Sequence, residues 1–212
     1  MIRTLTAQQD GQVFENRGSG VIIGNYYLTV YHNLDPRPAG HRLGVPRGRS
    51  FLGDQRVNPI YSDPSSDVAI LPLPAALCAG SCADPAPATR ALPQLNQAVR
   101  WYLGSSGSPS GAEGWRQGRI LARTVDAVLS APRTADDGTR DREGCAAGLV
   151  YEVDAPFFPG SSGMAVWDEQ DNLLGIAQGS YERADGRITG YFRPWYCIQQ
   201  HWPGQLRVLS PP

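Results

Sequence analysis

Val21-Ile22-Ile23-Gly24-Asn25-Tyr26-Tyr27-Leu28-Thr29-Val30 reads as a β-hairpin. β-Branched and aromatic residues flank Gly24-Asn25, a pair suited to the tight turn between two antiparallel strands. Working outward, short runs of the same kind recur, punctuated by Gly, Pro, Asn and Asp. The candidates are Ile2–Ala7, Gly20–Ile23, Tyr26–Val30, Arg56–Ile60, Val68–Leu73, Val99–Leu103, Gly118–Arg123, Leu149–Val153, Ala165–Trp167, Leu173–Gln178 and Gly190–Arg193. Helical periodicity is scarce, and only Trp195–His201 reads as a helix, of one or two turns. Many short strands at this spacing predict an all-β barrel or sandwich.

Bulk properties bound the function. The chain has 212 residues, enough for one or two compact units with a buried core. Hydrophobic residues are 41% and charged residues 18%, a globular balance, and the net charge of −1 offers no polyanion-binding surface, so no nucleic-acid partner is expected. Every basic residue is Arg, which reads as coding bias more than function. No apolar run reaches the roughly 18 residues of a membrane span. Met1–Gln9 lacks an apolar segment of signal-peptide type, so either the protein stays inside or its signal is missing from this chain. Ala83-Asp84-Pro85-Ala86-Pro87-Ala88-Thr89 reads as a linker. It predicts an N-terminal unit over 1–86, a second over 87–203 and a tail over 204–212. Gly104–Gly114 and Ala131–Gly144 read as exposed loops of the second unit.

Three short signals carry chemistry. Pro159-Gly160-Ser161-Ser162-Gly163 places a serine between glycines. A tight turn there would aim the N–H groups of Gly160 and Ser162 at one spot beside Ser162 Oγ, as an oxyanion site requires. Gly104-Ser105-Ser106-Gly107 is a decoy of similar composition. Leu28-Thr29-Val30-Tyr31-His32 ends the hairpin strand on a histidine, and Ser66-Asp67-Val68-Ala69-Ile70-Leu71 puts an acid at the start of an apolar run. Alone, the first is a capping residue and the second a turn residue. A partly buried carboxylate, however, needs a donor, and His32 Nδ1–H would be one.

In the order His32, Asp67, Ser162 the set resembles the chymotrypsin-like serine proteases, in which Leu-Thr-x-x-His, Asp-(Ile or Val)-Ala-(Ile or Leu)-Leu and Gly-x-Ser-Gly motifs follow one another on two six-stranded antiparallel Greek-key β-barrels. Val153-Asp154-Ala155-Pro156 ahead of Pro159-Gly160 is most similar to the bacterial high-temperature-requirement branch and its simple single-domain relatives. Gly175-Ile176-Ala177-Gln178-Gly179 is similar to the strand that edges the primary specificity pocket, and the resemblance spans residues 2–203. It implies two packed barrels with a short C-terminal helix, and a cleft between them. Ser162 is then the nucleophile, His32 the general base and Asp67 the orienting carboxylate, with Gly160 and Ser162 N–H as the oxyanion donors. The chemistry calls for no cofactor and no metal, and its partner is a protein or peptide substrate.

Some positions depart from the pattern. Met164 stands where a second glycine is common and could crowd the leaving-group side. Ser161 replaces the acid that pairs with a newly cut N-terminus in digestive members, so activation of that kind is not expected. Tyr31 before His32 is bulkier than usual.

Two rival readings stand beside this one. An α/β-hydrolase would use Ser162, Asp171 or Asp185, and His201, but that fold needs a strand–turn–helix at the serine, and Trp167–Asn172 reads as a turn between strands. A catalytically inactive, peptide-binding domain of protease-like fold is the other.

Cys78, Cys82, Cys145 and Cys197 permit disulfides, a four-thiolate zinc site or buried free thiols, with a lean toward a secreted or periplasmic location. Arg37, Arg42, Arg47, Arg49 and Arg56 crowd the region after His32, either as a solvated face or as an attraction for acidic substrates. The resemblance makes Pro156, Phe157, Phe158 and Pro159 one pocket wall and Ala177, Gln178 and Gly179 the facing edge. None of these is charged, so cleavage after small to medium apolar residues is expected, unless Arg183 or Arg187 turns inward to pair with an acidic P1 side chain.

Overall fold

A computed structural model describes residues 1–7, 13–34, 49–77, 92–104, 113–125, 145 and 148–200. The linker over 83–89, the loops over 105–112 and 131–144, and Arg37, Arg42, Arg47, Cys78, Cys82 and His201 lie outside the described residues.

The first half contains β1 (Ile2–Ala7), β2 (Val13–Gly18), β3 (Val21–Ile23), β4 (Tyr26–Thr29), β5 (Arg49–Leu52), β6 (Gln55–Val57), β7 (Tyr61–Asp63) and β8 (Val68–Pro72). The opening hairpin is present: Ile23 pairs with Tyr26 across the turn, and Gly24 takes φ +56°. The second half contains β9 (Ala98–Leu103), β10 (Gly114–Val125), β11 (Leu149–Val153), β12 (Ala165–Trp167), β13 (Leu173–Glu182), β14 (Ile188–Pro194) and the helix α1 (Trp195–Gln200). The fold is all-β with a short C-terminal helix.

The second half forms a closed barrel in the order β10-β11-β14-β13-β12-β9. Trp101, Ile120, Tyr151, Val153, Val166 and Phe192 fill its interior, and the Cys145–Cys197 disulfide fixes α1 to that core. In the first half, no second closed barrel of the kind expected is seen among the described residues. They form two four-stranded antiparallel sheets, β2-β1-β5-β6 and β3-β4-β8-β7. The ladder breaks where the chain passes between them. Ser19, between β2 and β3, sends its N–H to Ser162 O instead of to a strand neighbour, and Pro59, between β6 and β7, has no N–H to give. The two sheets still share one core, with Ile2, Leu52 and Val57 against Tyr27, Ala69 and Leu71.

The central strands of sheet β3-β4-β8-β7, β4 and β8, are buried on both faces. Ala69 and Leu71 point toward the first sheet, whereas Val68 and Ile70 join Leu28, Val30, Ala165, Ile176, Trp195 and Ile198 in a core between the halves. That explains why Val68-Ala69-Ile70-Leu71 is apolar at every position, where a half-exposed strand would alternate. It also puts the start of β8, with Asp67, directly at the junction with the barrel of the second half.

Candidate active site

His32 is presented by a single 3-10 turn, Tyr31–Asn33, that follows β4. Tyr31 and Leu34 are buried and anchor the turn, which leaves the His32 side chain 38% exposed between them. The bulk of Tyr31 therefore goes into the core, not into the cleft.

Asp67 is 1% exposed and has φ +53°, a left-handed conformation that costs a non-glycine residue on the order of 1 kcal/mol. Its surroundings hold it there. The preceding turn is built on the Asp63 carboxylate, which accepts from Ser65 N at 2.9 Å and from the Ser65 and Ser66 hydroxyls at 2.6 Å each. Gln178 Nε2 donates to Ser66 O at 2.9 Å from the second half. The carboxylate then faces His32: Oδ1 accepts from the His32 backbone N–H at 2.9 Å, and Oδ2 lies 2.8 Å from Nδ1. A carboxylate only accepts, so the neutral ring carries its proton on Nδ1 and keeps the Nε2 lone pair free. Burial works against a charge on His32, but the Asp67 charge and hydrogen bond together outweigh it, and the ring is held above the ordinary histidine value.

Ser162 sits in a loop whose glycines are dictated by geometry. Gly160 and Gly163 have φ +88° and +89°, and a Cβ at Gly163 would lie 2.2 Å from Ser19 O. Ser161 N donates to Phe158 O at 3.0 Å and the Ser161 hydroxyl closes on the same carbonyl, so Ser161 serves its own turn. Met164, 6% exposed, points into the barrel core and does not crowd the cleft. Met164 N donates to Ser161 O at 2.8 Å, and Gly163 N to Ala177 O at 2.7 Å. The N–H groups of Gly160 and Ser162 have no partner among the described residues. Ser162 Oγ donates to Gln178 O at 3.4 Å. No hydrogen bond joins it to His32 among the described residues, a looseness common before substrate arrives. The structure thus bonds His32 to Asp67 directly and brings Ser162 to them through Ser19, Asn33 and Gln178.

The residues expected to line the pocket divide into two groups. Phe157 is 5% exposed, packs edge-on against Trp101 at 5.0 Å, and is pinned by Ser180 Oγ, which accepts from Phe157 N at 2.7 Å and donates to Phe157 O at 2.8 Å. A Cβ at Gly190 would meet the Phe157 ring at 2.8 Å. Pro156 and Phe158 are half-buried, Pro159 is exposed, and the Tyr191 hydroxyl lies against Gly179. The Ala177 side chain belongs to the barrel core, and that of Gln178 turns away toward Ser66. Arg183 is engaged by Glu152 at 2.8 Å, and Arg187 is an exposed side chain beside Asp185.

Sequence reasoning missed Ser19 and Asn33, and gave Thr29 no role beyond its place in the Leu-Thr-x-x-His motif. Ser19 and Asn33 read as ordinary turn filler, and only the folded chain brings them against Gly160 and Ser162. The four cysteines are partly settled: Cys145 and Cys197 are bonded to each other, which removes both from any zinc site or free-thiol reading. Among the described residues no helix is long and apolar enough to cross a membrane.

The closed barrel, the bonded His32–Asp67 pair and the Ser162 loop tied to the first half by Ser19 and Asn33 are features of the β-barrel serine peptidases. The chain belongs to the trypsin-like peptidase domain family, whose model matches residues 18–176. It is a serine peptidase, and its substrates are proteins or peptides. No curated protein matches the chain. Among solved structures, the active form of the Rv3671c protease from M. tuberculosis is 24% identical, with a TM-score of 0.59, covering 100% of this chain and 80% of that one. The protease domain of MamO from Magnetospirillum magneticum is 17% identical, with a TM-score of 0.53 and 95% of each chain covered. The HtrA-type protease AlgW, solved with a tripeptide, is 18% identical, with a TM-score of 0.56, covering 99% of this chain and 60% of that one. At these identities the likeness shows the fold.

Proposed function

We propose that the chain is an endopeptidase that hydrolyses peptide bonds through an acyl-enzyme on Ser162. His32 Nε2 takes the hydroxyl proton as Ser162 Oγ attacks the scissile carbonyl, then returns it to the leaving amine. Asp67 fixes the ring tautomer and stabilises the imidazolium. The N–H groups of Gly160 and Ser162 receive the oxyanion. The observation that carries this reading is the two-point grip of the buried Asp67 carboxylate on His32, through ring and backbone together. The catalytic groups are divided between an N-terminal unit over 1–86, whose two packed sheets stand where a first barrel would be, and a unit over 87–203.

The same reading extends to specificity. The Phe157 ring lies against Gly190, which supports a shallow pocket behind Ser162. No charged side chain among Pro156, Phe157, Phe158, Pro159 and Gly179 could partner a P1 cation, and burying one unpaired costs on the order of several kcal/mol. Arg183 is already paired and Arg187 exposed, which weakens the case for an acidic P1 residue. Cleavage after small uncharged residues follows. The Cys145–Cys197 disulfide favours an oxidising location, secreted or periplasmic.

A fluorophosphonate probe and a peptide library test the proposal together. Wild-type protein should be labelled at Ser162 and should cleave after small uncharged residues. Ser162→Ala and His32→Ala should each lose about 10³-fold or more in turnover, and the double variant little beyond either, because the groups act as a unit. An unlabelled wild type with no cleavage would instead identify an inactive peptide-binding domain, and full activity in Ser162→Ala would place the nucleophile elsewhere.

A further inference from the structure

We propose that Asn33 and Ser19 are positioning residues that clamp the carbonyl groups of the nucleophile loop, so that the half bearing the general base also sets the orientation of Ser162. The proposal rests on the reading of Ser162 as nucleophile. Asn33 directly follows His32 in the 3-10 turn and is 2% exposed. Its side-chain Nδ2 donates to Ser162 O at 2.8 Å and to Thr29 Oγ1 at 2.9 Å, and lies 3.4 Å from Ser19 O. Ser19 N donates to the same Ser162 carbonyl at 2.9 Å, and Ser19 Oγ donates to Gly160 O at 2.8 Å. Thr29 Oγ1 closes the network by donating to Ser19 O at 2.6 Å.

Both lone pairs of the Ser162 carbonyl are therefore used by donors from the opposite half of the chain. The Gly160 carbonyl, next to the proposed oxyanion donor, is held from the same side. Gly163 lets the loop come this close, and the Asn33 amide itself rests where Gly18 has no side chain. A shift of the serine loop relative to His32 would have to break three hydrogen bonds between the halves. The network also accounts for the residue types. Position 33 must donate two hydrogen bonds at once, to Ser162 O and to Thr29 Oγ1, which an amide NH2 does and a carboxylate or an aliphatic side chain does not. A misplacement of about 1 Å at a reacting group costs on the order of 100-fold in rate, so a clamp of this kind acts on turnover more than on substrate binding.

The test compares wild type, Asn33→Ala, Ser19→Ala and Ser162→Ala on one cleaved peptide, measuring kcat and KM, the rate of fluorophosphonate labelling, and inhibition by a peptidyl boronic acid. Circular dichroism checks folding. Asn33→Ala should lower kcat and the labelling rate by about 100-fold, with KM changed less than about 3-fold, and should weaken the boronic acid in proportion to kcat. Ser19→Ala removes only the bond to Gly160 O and should lower kcat by about 10-fold with the same unchanged KM. If Asn33→Ala fails to fold, Ser19→Ala decides alone. Unchanged kcat in the folded variants, or a loss confined to KM, overturns the clamp. An unlabelled wild type, or an active Ser162→Ala, instead overturns the nucleophile reading, so the two failures are told apart.

Discussion

His32 Nδ1 lies 2.8 Å from Asp67 Oδ2 while the His32 N–H binds the other carboxylate oxygen at 2.9 Å, so one buried acid fixes both the ring and the turn that carries it. The ring titrates above the ordinary histidine value, about 6.5. A general base works only when deprotonated, so kcat/KM should rise with pH along a limb whose midpoint lies above that value. Asp67→Asn removes the charge that raises it: the midpoint should move down, while activity falls by about 10⁴-fold from the lost tautomer. The same pairing stabilises the fold below about pH 6.5 and loses its effect as pH rises through the folded-state value. A pH–rate profile and melting curves across the same range check both signs.

Phe157 is a core residue by its contacts and, in the proposed function, a pocket wall as well, and one substitution tests that second role. Phe157→Ala empties the space beside Gly190 and removes the partner of Trp101. Stability should fall by about 3 kcal/mol, and P1 preference should broaden toward larger apolar residues. Urea unfolding gives the first, and library cleavage, with substrate in excess of KM and at a temperature where the variant is folded, gives the second. Unchanged P1 preference would show that Phe157 is only core.

Tyr27 offers a gain. Its ring is 4% exposed and sits against Gly20, its hydroxyl has no partner among the described residues, and burial pushes its phenol well above the usual value. A buried hydroxyl left unsatisfied is a cost, so Tyr27→Phe should stabilise the protein by about 1 kcal/mol with activity unchanged. Denaturant midpoints measured side by side decide it.

The Cys145–Cys197 bond closes a separation of 52 residues. On the chain-entropy account its removal should cost about 4 kcal/mol. Cys145→Ser/Cys197→Ser, or reduction of the native protein, should lower the melting temperature, and a protein that melts identically with and without reductant would refute this.

The sequence made some elements plain and hid others for identifiable reasons. Val68-Ala69-Ile70-Leu71 is legible because a strand buried on both faces is apolar throughout, and Leu149–Val153 because all its residues but Glu152 are β-branched, aliphatic or aromatic. β2 and β5 are not, since Val13-Phe14-Glu15-Asn16-Arg17-Gly18 and Arg49-Ser50-Phe51-Leu52 become strands by pairing with β1, not by their own patterning. β7 was hidden in the same way, its Tyr61-Ser62-Asp63 being recruited by β8. The contact between His32 and Asp67 was readable because each lies in a short motif whose order in the chain is characteristic. Asn33 and Ser19 were not, because an asparagine or serine bonding a carbonyl 129 or 141 residues away leaves no local mark. The family resemblance put Gln178 at the pocket edge; its side chain reaches Ser66 O, while its own carbonyl accepts from Ser162 Oγ.

Sheet β3-β4-β8-β7 serves two cores at once, and this restricts what the chain can exchange with other proteins. A segment that ends in its own sealed surface can be cut out and grafted elsewhere as a cassette. The first half of this chain has no such surface: lifted out, it would present Leu28, Val30, Val68 and Ile70 to water as a raw apolar sheet. The second half would be left with the opposing scar of Ala165, Ile176, Trp195 and Ile198. The two halves are inseparable as folding units, and any recombination that swaps one must carry the matching face of the other with it.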